Sequence, residues 1–155
     1  MKKMTFTFMI LSAFLAGCSL EAAKKHSGSF KANGVAYNGG EDQVSASYNN
    51  GNANLLDVTI FTGNSQTFGT SIQVNLSQLD ATVPIDVNNE VFYYKGDNTS
   101  VYYKPINGTW KITSHKEGNP ATRHTEGEYE FTAVNPYTPF DTVRVTEGRF
   151  YVNNY

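Results

Sequence analysis

The chain has 155 residues, a formal net charge of -2, 17% charged residues and a single cysteine. Near-balanced charge without a basic tract argues against a nucleic-acid partner, and one cysteine rules out a disulfide within the chain. Thirteen Gly, ten Tyr and ten Phe favour strands and turns over helices.

Residues 1–17 read as a lipoprotein signal peptide. Met1-Lys2-Lys3 gives a positive start, residues 4–14 a mostly apolar run too short to span a bilayer, and Leu15-Ala16-Gly17 the small residues of a cleavage site. Cys18 follows at once, and Leu-Ala-Gly-Cys resembles the lipobox of bacterial lipoproteins, whose cysteine carries the acyl chains. Two or more such chains anchor stably. The expected partner is therefore a membrane, held through the acylated amino end. Residues 18–29 are small, polar and without period, as a lipidated tether would be.

Residues 30–155 have the length of one domain. Alternation predicts strands at 30–37, 43–48, 55–62 and 70–76, with turns at 49–52 and 63–65 and one helical turn at 76–80. Residues 90–95 and 100–104 flank a four-residue loop at 96–99, and 109–114 puts Trp110 and Ile112 on one face. A loop at 116–125 leads to a terminal meander of three strands, 127–134, 140–146 and 147–152. In it Tyr129, Phe131, Ala133, Val143, Val145, Phe150 and Val152 share the inner side. Some nine strands at roughly twelve-residue spacing point to an all-β antiparallel β-sandwich, with a partly closed β-barrel as the alternative.

Three stretches resemble a family of small Bacteroidota lipoproteins known only as a domain of unknown function. They are Gly108-Thr109-Trp110-Lys111-Ile112-Thr113, Gly127-Glu128-Tyr129-Glu130-Phe131-Thr132-Ala133, and Val143-Arg144-Val145-Thr146-Glu147-Gly148-Arg149-Phe150. The family's carboxyl ends read Gly-Thr-x-x-Ile-Thr, Gly-x-Phe-x-Phe-Thr-Ala and Val-Thr-Asn-Gly-x-Phe. Tyr129 stands here for Phe, Glu147 for Asn, and Tyr37 for the usual Trp of the opening. The resemblance covers about the last fifty residues. It implies a lipid-anchored β fold of the outer membrane, on its periplasmic face or the cell surface, and transfers no catalytic residue.

No Gly-x-Ser-x-Gly elbow or Ser-x-x-Lys motif occurs. Carboxylates Glu128, Glu130, Asp141 and Glu147 lie on or beside strands, where outward acids serve solubility unless a cleft pairs them. His115, His124, Glu117 and Glu126 flank the 116–125 loop, and a solvated loop rim is the simpler reading than a metal site. Asp86, Asn88 and Glu90, like Gly96-Asp97-Asn98, read as turn chemistry rather than calcium loops. The expected protein is thus not an enzyme and needs no cofactor or metal. Asp141-Thr142-Val143 resembles a Bacteroidota O-glycosylation pattern, with Thr142 facing out.

The remaining candidate is the 90–104 hairpin. A four-residue loop pairs Lys95 with Ser100, sets Phe92, Tyr94, Val101 and Tyr103 inward, and leaves Tyr93 opposite Tyr102 outside, beside Lys95 and Lys104. Two rings and two ammonium groups could hold a sugar. The expected function is a non-catalytic binding or accessory module for glycan or an envelope protein. The alternatives are a structural subunit of an envelope assembly and, behind it, a small hydrolase.

Overall fold

A computed structural model describes residues 24–49, 52–62, 68–88, 90–96, 101–119 and 122–153. The signal peptide, Cys18, most of the expected tether and the connections at 50–51, 63–67 and 97–100 lie outside the described residues.

Ten antiparallel strands are described: β1 (Ser27–Ala32), β2 (Val35–Gly39), β3 (Val44–Asn49), β4 (Asn52–Thr62), β5 (Phe68–Asn75), β6 (Thr82–Ile85), β7 (Val91–Lys95), β8 (Tyr102–Lys116), β9 (His124–Asn135) and β10 (Thr138–Asn153). They follow one hydrogen-bonded path, β2-β1-β10-β9-β8-β7-β5-β4-β3, with β6 added beside β8. The path is not closed, so the fold is an all-β antiparallel sandwich and not a barrel. β2, β1, β10, β9, β8 and β6 form the first sheet; β7, β5, β4 and β3 form the second with the start of β8.

Several boundaries differ from the alternation, each for a local reason. Residues 30–37 are two strands, not one. Asn33 and Gly34 both have positive φ (49° and 83°) and close a two-residue hairpin in which Ala32 pairs with Val35, the geometry an Asn-Gly pair favours. β10 is one strand where two were expected: Glu147, at φ 52°, makes a bulge between Val145 and Gly148 and the ladder resumes beyond it. β8 likewise runs through, with a bulge between Pro105 and Asn107. There it leaves β7, paired at Tyr102 and Tyr103, for β6, paired at residues 108–111. β6 escaped the alternation because Pro84 reads as a breaker; it pairs only with β8, at an edge where a proline fits. The helical turn expected at 76–80 is a short 3-10 turn, Leu76–Gln78, with Asn75 Oδ1 accepting from Ser77 N at 3.0 Å.

The domain also starts before residue 30. β1 begins at Ser27, and Lys24 pairs with Glu126 at 3.1 Å. His26 bridges the sheets: its Nδ1 lies 3.2 Å from Val44 O and its Nε2 2.6 Å from Asn153 O.

The core is that of the alternation. Leu56, Val58, Ile60, Ile72, Val74, Trp110, Ile112, Phe131, Ala133, Val145 and Val152 are all buried. Strand glycines lie directly opposite aromatic residues: Gly28 and Gly127 flank Phe150, Gly148 faces Tyr129, Gly108 faces Phe131 and Gly69 faces Phe61. A Cβ on Gly127 would stand 2.4 Å from the Phe150 ring, and one on Gly148 2.5 Å from the Tyr129 ring. At Gly127, Gly148 and Gly69 the rings fill the space that the glycine leaves, so these residues shape packing rather than turns. Tyr129 then reaches across the core, its hydroxyl 2.5 Å from Thr70 Oγ1 in the second sheet.

Candidate functional site

The register of β7 on β8 decides where the candidate hairpin residues lie. Tyr93 pairs with Tyr103 and Tyr94 with Tyr102. This is one residue away from the expected pairing, because five residues, not four, separate Lys95 from its implied partner Val101. The slip inverts the faces of β7, turning Tyr93 inward and Phe92 and Tyr94 outward, while on β8 Tyr103 stays inward and Tyr102 outward as expected. Tyr93 is 3% exposed and Tyr103 2%, whereas Tyr102 is 42% exposed. Tyr93 is therefore not on the outer face. The four expected ligand residues divide: Tyr102 and Lys104 face outward, while Tyr93 and Lys95 border a cavity at one end of the sandwich.

The outer face gains different partners for Tyr102. One row crosses four strands, from Phe61 through Gly69 and Tyr94 to Tyr102. The Phe61 and Tyr94 ring centres lie 6.0 Å apart and those of Tyr94 and Tyr102 5.0 Å; Phe92 meets Tyr102 edge-on at 6.1 Å. Gly69 makes this possible, since a Cβ there would stand 2.9 Å from the Phe61 ring. Polar groups adjoin the rings. Thr59 Oγ1 lies 3.1 Å from Ser71 Oγ, and Gln73 Nε2 donates to Asp57 at 2.9 Å and to Glu90 at 3.1 Å. Burial raises the Tyr94 phenol above its ordinary pKa, and the Ser71 hydroxyl beside it offsets part of the rise.

The end cavity, about 300 Å³, is lined by Tyr37, Phe68, Tyr93, Lys95, Tyr103 and Asp141 among others. Tyr103 donates to Asp141 Oδ2 at 2.5 Å, and Asn135 Nδ2 donates to the same oxygen at 3.4 Å. The Tyr103 bond holds the Asp141 carboxyl below its usual range. Burial, and then that same bond, push the Tyr103 phenol up to about 12. The Tyr93 phenol is raised chiefly by burial. Sequence reasoning missed Asp141 and Tyr103 as a pair because they lie 38 positions apart on strands that do not pair with each other.

Other candidates fall into place singly. Thr142 is exposed, on the side of β10 opposite buried Val143 and Val145, so it faces out as expected. His115 and His124 do not converge: His115 points inward, its Nδ1 2.8 Å from Thr125 Oγ1, and His124 stacks on Tyr151 at 5.8 Å on the other face. No group of three metal-ligating side chains occurs among the described residues. Asp86 Oδ1 accepts from Asn88 N at 2.7 Å, the turn chemistry expected there. Glu147 pairs with Lys31 at 2.6 Å. Glu128 and Glu130 border a depression of about 280 Å³ in which Lys111 and Arg149 alternate with the acids. A larger depression, about 610 Å³, is a trough over the outer face of the first sheet, also of mixed charge. Phe150 and Tyr151 line it, against the four rings of Tyr37, Phe68, Tyr93 and Tyr103 around the end cavity, which is the better candidate despite being smaller. No family model, curated protein or solved structure matches this chain.

Proposed function

We propose that the protein is a lipid-anchored module of the cell envelope, an outer-membrane lipoprotein that binds glycan without catalysing a reaction on it. The outer aromatic row carries the reading. Phe61, Tyr94 and Tyr102, with Phe92 beside them, give an apolar strip on which the C–H faces of successive sugars can stack. Lys104, Ser71 and Thr59 alongside offer hydrogen bonds to their hydroxyls.

The placement of the amino end supports the anchored reading. Cys18 lies six residues before Lys24, and Lys24 contacts Glu126, near the start of β9. β9 runs on from Glu126 to Asn135, so its far end is roughly 30 Å away at about 3.3 Å per residue. An acylated Cys18 would hold the Lys24 end at the membrane and present the opposite end outward.

A glycan array tests the reading. Wild type should bind at least one envelope or host glycan, and Tyr102→Ala should lose it while keeping the wild-type melting curve. If wild type binds nothing, or Tyr102→Ala binds as well, the row is structure only. One observation favours a second reading, a structural subunit of an envelope assembly: Tyr137 and Phe140, between and at the start of the β9 and β10 strands, are exposed, and large exposed rings mark protein contacts. Under it, a fixed partner co-purifies with wild type and is lost from Phe140→Ser.

A further inference from the structure

The geometry points to a second ligand site: the end cavity between the sheets takes one neutral polyhydroxylated ring, a single hexose-sized unit. The inference stands on different residues from the outer row and does not rest on that reading. At about 300 Å³ the cavity is at the lower end of the ~300–1,000 Å³ range of small-ligand sites, which suits one ring rather than a chain. Its walls are aromatic. Tyr37 lies 5.3 Å from Phe68, and Tyr93 meets Tyr103 edge-on at 5.5 Å.

The polar groups select the ligand. Tyr93 is 97% buried, borders the cavity, and its hydroxyl has no hydrogen-bond partner among the described residues. The oxygen is not sealed in the core: it opens onto the cavity, where a ligand or water can meet it, and a phenol can both donate and accept. Asp141 takes both of its protein hydrogen bonds on Oδ2, so Oδ1 remains to accept from a ligand hydroxyl. Lys95 supplies donors from the same cavity and makes no ion pair among the described residues. One cation and one anion cancel, which favours a neutral ligand. A zwitterion such as an amino acid fits less well. Its carboxylate would have to give up its hydration for a single exposed, flexible lysine, without the two-pronged hold an arginine provides. Sugar hydroxyls, donors and acceptors at once, match phenol, carboxylate and ammonium together.

The test uses the full chain in a sugar-free detergent and follows saturation-transfer NMR and calorimetry with a panel of neutral monosaccharides, with L-phenylalanine as the zwitterionic arm. At least one monosaccharide should saturate the protein at millimolar concentration or below. Tyr93→Phe keeps the ring and removes only the unpartnered hydroxyl, so it should fold as wild type and bind at least five-fold more weakly, as should Asp141→Asn. Glu128→Gln, on the outer face of the first sheet, should bind as wild type. No saturation by any monosaccharide, binding indifferent to both substitutions, or binding of phenylalanine alone would overturn the proposal. The two sites are separable: loss of glycan chains in Tyr102→Ala speaks of the sheet face, and monosaccharide binding that depends on Tyr93 speaks of the cavity.

Discussion

The bond between Tyr129 and Thr70 ties the two sheets through the middle of the core, and its removal gives a measurable pattern. Both residues are buried, at 3% and 1% exposure, and their oxygens lie 2.5 Å apart. Tyr129→Phe deletes one oxygen and strands the other in an apolar setting. A buried hydroxyl without a partner costs about 1–3 kcal/mol, so Tyr129→Phe should lower the unfolding free energy by about that much. Thr70→Val strands the phenol instead and should cost a similar ~1–3 kcal/mol. The double variant removes both polar groups while keeping both shapes, and such replacements are close to neutral. The singles should therefore not add. The double variant should lie within about 1 kcal/mol of wild type, giving a coupling energy of the order measured for contacting residues, ~0.5–3 kcal/mol. Urea unfolding followed by tryptophan fluorescence of Trp110, the only tryptophan, measures all four proteins. If the double variant loses the sum of the two singles, the oxygens are not partners and the packing of the sheets is wrong.

Three further outcomes follow from the fold and the amino end. Phe131→Ala should cost about 3–5 kcal/mol, the usual loss for a buried Phe, and lower the melting temperature by more than about 8 °C, because the ring is 2% exposed beneath Gly108; an unchanged melt would place Phe131 outside the core. Stability should fall as pH rises above about 10, the ordinary tyrosine value, since the folded state holds Tyr103 up to about 12 and raises Tyr93 and Tyr129 as well. The unfolded chain releases those protons first, so the contribution is whole below pH ~10 and fades as pH climbs toward the folded value; tyrosinate absorbance rising in one step near pH ~10 with no loss of structure would contradict it. Cys18→Ser should abolish incorporation of a palmitate analogue in cells, and labelling equal to wild type would sink the lipid anchor.

The class of fold was legible because alternation needs only one strand at a time. Leu56, Val58 and Ile60, or Val143 and Val145, declare their inner face without reference to a neighbour. What spans two strands was not legible. Gly127 and Gly148 carry no side chain to declare a face, yet each stands in a strand below a ring contributed by the adjacent strand. The signal that could have found them is a glycine opposite an aromatic residue, which becomes visible only after register is known. Asn33-Gly34 is a different omission: the turn signature was local and present, but alternation on both sides carried the reading through it.

The candidate site was hidden by the same aromatic richness that builds it. Phe92, Tyr93 and Tyr94 run consecutively, as do Tyr102 and Tyr103, so either register sets rings on both faces and hydrophobic patterning cannot choose between them. The structure pairs Tyr93 with Tyr103 and Tyr94 with Tyr102, and that one-residue difference gives each face its own chemistry. Tyr93 and Tyr103 turn inward, to meet Phe30 and Asp141 and wall the end cavity. Phe92, Tyr94 and Tyr102 turn outward onto a face that Gly69 leaves open for Phe61. A strand with rings on one face only would have supplied a core or a platform. β7 supplies both, which is why an outer aromatic strip and an end cavity meet at a single hairpin.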